Sequence, residues 1–262
     1  MAAPIRLFLV ISMLVSPLLA VAAECSATSG TQRVPLLELY TSEGCDSCPP
    51  ADRWVSSLSA RGLTPKQVVT LAFHVDYWNH LGWPDPYARP EYSARQQVAS
   101  HRNGGRFVYT PQLLLDGKDY RRGSLRDDLD ARLAAANREQ PSASIRLSVA
   151  DGVDGSITAG GEALVQQRAH RPAALAYLAL YENRLASQVF AGENRGRRLE
   201  HDFVVRELAG PFRFDTSGAV RLAHSFRLDR TWKKSDLHVA AFVQDENSGE
   251  ALQSLVLAVC RN

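Results

Sequence analysis

Two cysteines separated by two residues lie between a predicted strand and a predicted helix, and this feature constrains the fold most. The apolar run Val34–Tyr40 predicts a buried strand, and Pro49-Pro50 opens a helix that continues to about Ala60. At such a helix start, unsatisfied backbone amides and the helix dipole stabilise a thiolate. The sequence therefore predicts Cys45 as the better exposed nucleophile and Cys48 as the thiol that resolves a mixed disulfide.

Two other interpretations of this spacing are open. A zinc knuckle needs a second close pair of ligands, and the chain has no second close pair of cysteines. A purely structural disulfide is the other alternative, although closing so short a loop gives little entropic stabilisation. The position between strand and helix favours the redox interpretation.

The elements that follow this motif complete a thioredoxin-like order. They are a strand at 67–75, a helix at 91–102, a hairpin at 112–121 that turns at Asp116-Gly117, and a helix at 125–137. The strand–helix–strand unit is expected to be parallel and right-handed. The sequence thus predicts a thioredoxin-like domain over residues 34–138.

The second half has a different hydrophobic period. After a linker at 139–142, Ile145, Leu147 and Val149 alternate with polar residues, and similar short strands recur at regular spacing. This pattern predicts a β-sandwich over residues 142–262. The expected fold class is α/β plus all-β, with an N-terminal thioredoxin-like domain followed by a C-terminal β-sandwich.

The first 23 residues predict a secretory signal peptide. Arg6 is the only charged residue before Glu24, an apolar run follows it, and small residues lead to a cleavage point after Ala23. The apolar core is short and is interrupted by Ser16-Pro17, which argues against a transmembrane span. The mature protein is expected to be periplasmic or secreted, with no membrane span after signal cleavage.

The charge balance restricts the partners. Removal of the leader lowers the formal net charge from +2 to +1, because the leader contains one arginine and no acidic residue. This balance argues against a nucleic-acid partner. Expected partners are protein thiols or disulfides in the cell envelope, and no cofactor or resident metal is expected.

Export places all four cysteines where disulfides persist. Four cysteines allow three connectivities, and the natural pairing joins Cys45 with Cys48 and Cys25 with Cys260. The second pair is predicted to be a structural disulfide that braces the two domains.

Thr110 and Pro111 precede the predicted hairpin, at the position where thioredoxin-like folds carry a cis-proline. We expect a cis bond there and a Thr110 backbone that pairs with a substrate chain. The alternative is an ordinary trans-proline at a strand edge.

His74 and Asp76 lie at the carboxyl end of the second strand, beside the expected position of Cys45. They are predicted to donate and accept protons during thiol exchange. His74 as a buried, satisfied histidine is an equally weighted alternative, and His74 or His80 joining the cysteines would suit copper(I). Glu200 and His201 are predicted to pair in an exposed loop.

Several longer stretches carry a family resemblance. They are 38–52, which contains the cysteine pair, 73–78, 81–83, 85–86, 108–112, 192–196 and 201–206. These stretches resemble a secreted bacterial thioredoxin-like family labelled domain of unknown function 1223, over nearly the whole mature chain. The resemblance implies a thioredoxin-like fold and export, and it implies no demonstrated reaction.

The leading hypothesis is therefore an exported thiol–disulfide oxidoreductase that acts through Cys45 and Cys48. Thr110 and Pro111 would dock the substrate, and His74 with Asp76 would tune protonation. One alternative is a periplasmic soft-metal (copper) binding protein. Another is an interaction module whose disulfide is structural.

Overall fold

The computed structural model describes residues 24–120 and 128–260. The predicted signal peptide, residues 1–23, lies outside the described residues, as does the predicted start of the helix at Leu125. None of the helices in the described part of the chain is long and apolar enough to cross a membrane.

The described residues form fourteen β-strands and three α-helices. In the first half these are β1 (Glu24–Thr28), β2 (Leu36–Thr41), α1 (Pro49–Ser56), β3 (Val69–His74), α2 (Pro90–Arg102), β4 (Gln112–Leu115), β5 (Lys118–Asp119) and α3 (Leu129–Arg138). In the second half they are β6 (Ala143–Asp151), β7 (Ser156–Val165), β8 (Ala174–Glu182), β9 (Leu185–Gln188), β10 (Arg198–His201), β11 (Val204–Arg213), β12 (Ala219–Arg227), β13 (Leu237–Asp245) and β14 (Ala251–Ala258).

The parallel pair β2 and β3 positions the cysteine motif. Every residue of both strands is buried, which explains why apolar side chains occur on both faces of each strand rather than on alternate positions only. Their register aligns Thr41 with His74, so both strands end at one edge of the sheet. The loop that carries Cys45 leaves β2 at this edge, and α1 begins at Pro49 directly after Cys48.

One sheet of eight strands runs through both halves of the chain. Its order is β14-β13-β8-β11-β3-β2-β4-β5. The junction is a parallel contact between β11 and β3, in which Val204 pairs with Ala72. The linker predicted at 139–142 therefore connects two halves that share a hydrogen-bonded sheet.

Arg95 on α2 ties the same two halves together through side chains. Its Nε lies 2.8 Å from Oε1 of the buried Glu38 on β2. Its guanidinium also lies over aromatic rings of both halves, with 5.5 Å to the ring centroid of Phe73, 5.2 Å to Tyr177 and 5.4 Å to Phe242.

A second sheet, in the order β1-β6-β7-β12, supplies the other wall of the larger hydrophobic core. That core joins side chains of β6 and β7 with side chains of β8 and β13. Cys25 on β1 is disulfide-bonded to Cys260, with a Cα–Cα distance of 5.9 Å, so the predicted pairing is present. This bond links the first described strand to the residues that follow the last one.

Candidate functional site

Cys45 and Cys48 form a disulfide at the amino end of α1, with their Cα atoms 5.4 Å apart. The amide of Cys48 donates a hydrogen bond of 3.2 Å to the carbonyl oxygen of Cys45, which closes the loop. Cys48 is the N-cap residue, and its carbonyl oxygen accepts from the amides of Ala51 and Asp52 at 2.9 and 3.1 Å. Two prolines fit the first turn because the first amides of a helix have no intrahelical acceptor.

Both cysteines are fully buried in this disulfide-bonded form, with 0% of either residue exposed. The prediction that Cys45 is the better exposed of the two is wrong here. The two residues between them, Asp46 and Ser47, face solvent instead. Ser47 Oγ lies 3.3 Å from Cys45 Sγ, within hydrogen-bonding distance for sulfur.

The segment between β9 and β10, residues 189–197, makes hydrogen bonds to the backbone of the cysteine motif. The buried Asn194 donates two hydrogen bonds of 2.8 Å from Nδ2, to the carbonyl oxygens of Glu43 and Cys45. Glu193 Oε2 accepts a hydrogen bond of 3.0 Å from the amide of Asp46. The motif is thus held at several backbone positions by residues about 150 positions away, which the sequence analysis did not assign to it.

Thr110 and Pro111 lie beside the motif, and the peptide bond between them is cis, as expected. The indole Nε1 of Trp78 donates a hydrogen bond of 2.7 Å to Thr110 Oγ1. Pro111 and Ser47 line the same cleft, of about 580 Å³. The other lining residues are Pro50, Ala51, Tyr109, Leu113 and Tyr120, so the cleft is largely apolar.

His74 does not pair with Asp76. Its Nδ1 lies 2.7 Å from Oδ2 of Asp85, and both side chains are fully buried. Asp76 instead accepts a hydrogen bond of 2.5 Å from the hydroxyl of Ser93 on α2. His74 and Asp76 are two positions apart and lie at the same edge of the sheet, but their side chains have different partners.

His201 is the main residue that the sequence analysis misplaced. It is 3% exposed rather than in an exposed loop, because β10 carries it inward against the cysteine loop. Its Nε2 lies 3.2 Å from Glu43 Oε1, and its Nδ1 lies 3.5 Å from Asp52 Oδ1. Glu200, its neighbour, is exposed and pairs with Arg198.

These charged groups alter one another's protonation. Burial lowers the pKa of His201, but the contacts with Asp52 and Glu43 outweigh it and raise the pKa to about 10. Burial would raise the pKa of Asp85, yet the charge of His74 and the hydrogen bonds from His74 and from two backbone amides lower it below its usual value. Buried carboxylates and imidazoles thus form a connected cluster under the first turn of α1.

The two imidazole rings meet edge to face, with 5.0 Å between their centroids. One potential ligand atom from each of Asp52, His74 and His201 lies within 4.8 Å of the others. These are the described residues best placed to hold a metal ion. Of the residues considered for copper(I), the two cysteine sulfurs are bonded to each other. His80 is exposed, and its Nδ1 contacts the carbonyl oxygen of Tyr77.

Residues 36–244 match the family described as "Protein of unknown function (DUF1223)". No curated protein matches the chain.

Two solved structures resemble the protein over most of its length. One is protein AGR_C_4864 from Agrobacterium tumefaciens, with a TM-score of 0.59 and 23% sequence identity, covering 89% of this chain and 98% of that one. The other is HBP35 of Porphyromonas gingivalis, with a TM-score of 0.64 and 14% identity, covering 88% of this chain and 76% of that one. At such low identities the likeness concerns the fold alone.

Proposed function

Because the chain belongs to the DUF1223 family of proteins of unknown function, its activity must be inferred from its own residues, and we propose that it is an exported thiol–disulfide oxidoreductase. We assign the fold of its N-terminal half to the thioredoxin-like type. The observation that carries the proposal is the Cys45–Cys48 disulfide at the amino end of α1, directly beside an apolar cleft.

The proposed reaction needs no group other than the two cysteines and a substrate disulfide. In the reduced protein, the Cys45 thiolate attacks one sulfur of the substrate disulfide, and the other substrate sulfur leaves as a thiolate. The Cys48 thiolate then attacks Cys45, which forms the Cys45–Cys48 disulfide and releases the second substrate thiolate. Two electrons pass to the substrate, and the reverse sequence oxidises a substrate dithiol.

The cleft supplies a place for the substrate chain. It extends from Ser47, next to Cys45, to Pro111 at the start of β4. Its apolar lining suits an extended or unfolded protein segment better than a small charged molecule. This supports protein thiols or disulfides of the cell envelope as partners.

The burial of the cysteines implies that exchange requires an opening step. Reactive cysteines are ordinarily partly exposed, and both sulfur-bearing residues are fully buried here. The hydrogen bonds of Asn194 hold the backbone of the motif from one side. Displacement of segment 189–197 by a docking substrate would expose Cys45.

A structural disulfide is the second candidate, and the complete burial of Cys45 and Cys48 is the observation that favours it. In that case the bond would only fix the loop between β2 and α1. The two candidates differ in whether Cys45 ever becomes accessible to another thiol.

Substrate trapping tests the proposal. A Cys48→Ala variant expressed with its leader lacks the resolving thiol, so Cys45 should accumulate mixed disulfides that mass spectrometry identifies. Cys45→Ala is the matched control, and it should trap far less because the attacking thiol is gone. Equal, negligible trapping by both variants would favour the structural candidate.

A further inference from the structure

We propose that Asp52, His74 and His201 form a divalent metal site under the first turn of α1, with zinc as the metal that best fits the donors. The site is separate from the two cysteines, and it does not depend on their redox activity. Two imidazoles and one carboxylate are ligands typical of zinc.

The orientation of the two histidines is the first support. In metal sites, one ring nitrogen of a histidine binds the metal. The N–H of the other ring nitrogen donates a hydrogen bond to a carboxylate or carbonyl oxygen, which fixes the ring and its tautomer. His74 Nδ1 contacts Asp85 at 2.7 Å, and His201 Nε2 contacts Glu43 at 3.2 Å. Each ring therefore has one nitrogen held by a buried carboxylate, while the second nitrogen of His201 faces Asp52 Oδ1, itself a proposed ligand, at 3.5 Å.

Those remaining nitrogens are the second support. His74 Nε2 and His201 Nδ1 are buried, and neither has a hydrogen-bond partner among the residues that the structure describes. Buried polar atoms without a partner are rare in folded proteins, and a bound ion would satisfy both nitrogens at once. With His74 fully buried and His201 3% exposed, neither nitrogen has bulk water as its partner.

The separations suit one ion. His201 Nδ1 lies 3.5 Å from Asp52 Oδ1, close to the distance of about 3.4 Å between two ligands of a tetrahedral zinc with bonds of about 2.1 Å. The longest of the separations is no more than 4.8 Å, so inward shifts of about 1 Å would complete the triangle. Asp52 is also oriented for this role, because Thr41 donates to its other oxygen, Oδ2, at 2.9 Å.

The charge of the cluster favours a cation. Glu43, Asp52 and Asp85 are all buried, and within the described ranges no lysine or arginine forms an ion pair with any of them. Their charged partners are His74 and His201 instead, and a divalent ion that replaces the ring proton of His201 adds one net positive charge to the cluster. Glu43 also accepts a hydrogen bond of 2.7 Å from the indole of Trp83.

Tyr87 provides a route for the ion. Its ring packs edge to face on both imidazoles, at 5.2 Å from His74 and 5.8 Å from His201 by ring centroids. The same residue lines a cleft of about 800 Å³, and the guanidinium of Arg206 lies 5.0 Å from its ring centroid. Rotation of this partly buried side chain would open the cluster to solvent.

Calorimetric titration of the mature, disulfide-bonded protein with zinc chloride tests the site, since oxidised cysteines cannot bind the metal. We expect one equivalent of zinc to bind. Asp85→Asn keeps the shape of the side chain and removes the charge that orients His74, so it should weaken binding about 10- to 100-fold. Asp52→Asn removes a ligand charge and should weaken binding at least as much.

His224→Ala is the matched control. His224 also contacts a carboxylate, Glu207, at 2.6 Å, but it lies on β12 away from the cluster. Its loss should leave zinc binding unchanged. X-ray absorption of the wild-type complex should show a nitrogen and oxygen shell with imidazole scattering.

Three results would overturn the proposal. They are no zinc binding by the wild-type protein, unchanged affinity in folded Asp85→Asn and Asp52→Asn variants, or sulfur in the zinc shell. The redox proposal would survive each of them, because trapping by Cys45 is measured separately.

Discussion

The side-chain amide of Asn194 donates a 2.8 Å hydrogen bond to the carbonyl oxygen of Cys45, across 149 residues of sequence. This contact joins a loop of the second half to the cysteine motif of the first. It holds the backbone of a motif in which neither cysteine is exposed.

Removal of this contact should make the disulfide easier to reach. Asn194→Ala deletes two hydrogen bonds worth about 0.5–1.5 kcal/mol each, so opening becomes easier. We expect the disulfide to be reduced by dithiothreitol at least about fivefold faster, as followed by quenched alkylation and mass spectrometry. Gln188→Ala is the control, because its exposed amide contacts the same segment at Gly196 and Arg197 without contacting the motif. Equal rates in both variants would show that Asn194 does not limit access.

The order of alkylation tests which cysteine attacks. In the reduced protein below neutral pH, Cys45 should react with iodoacetamide before Cys48, because it precedes α1 and the hydroxyl of Ser47 lies within hydrogen-bonding distance of its sulfur. Peptide mapping after short exposure gives the two rates. Faster modification of Cys48 would reverse the assignment of nucleophile and resolving thiol.

The Cys25–Cys260 disulfide should contribute strongly to stability. It closes a loop of 235 residues, so the replacement of both cysteines by alanine should lower the free energy of unfolding by about 2–5 kcal/mol. Urea titration followed by circular dichroism measures the loss. The pair Cys45→Ala and Cys48→Ala is the control, since it opens a link across only three positions and should cost less. A larger loss in the control would contradict this role.

Arg95 should couple the two halves of the shared sheet, because its guanidinium pairs with Glu38 in the first half and lies over Tyr177 and Phe242 in the second. Arg95→Met leaves the carboxylate of Glu38 buried without its cation, so we expect a loss of about 3–5 kcal/mol within a single unfolding transition. Arg146→Met is the control, because its pair with Glu162 is exposed and should matter little. Two separate transitions in the wild-type protein would indicate that the halves unfold independently.

Local patterns predicted the elements near the cysteines well. The apolar run before Cys45, the prolines after Cys48 and the hairpin turn at Asp116 each act through neighbouring backbone, so their effects are visible in a short window of sequence. The strands β2 to β5 of the eight-stranded sheet and the cis bond before Pro111 follow from such signals.

The partners of the site could not be predicted in this way. His201 meets Glu43 across 158 residues, and the contact depends on how β10 packs against α1 rather than on any local period. Asp52 offered a signal, as an acid in the first turn of a helix four residues after Cys48, but the helix dipole alone favours an acid at that position. His74 was placed at the correct sheet edge, yet its partner Asp85 lies in the following irregular segment.

The reduction potential of the Cys45–Cys48 disulfide tests the central claim most directly. It is measured by equilibrating the mature protein with glutathione redox buffers and counting free thiols on Cys45 and Cys48 by mass spectrometry, while Cys25–Cys260 serves as an internal structural reference. A thiol–disulfide oxidoreductase should have a potential between about −120 and −270 mV, the range of known exchange proteins. A value below about −300 mV, together with no exchange on substrate addition, would contradict the account and identify the bond as structural.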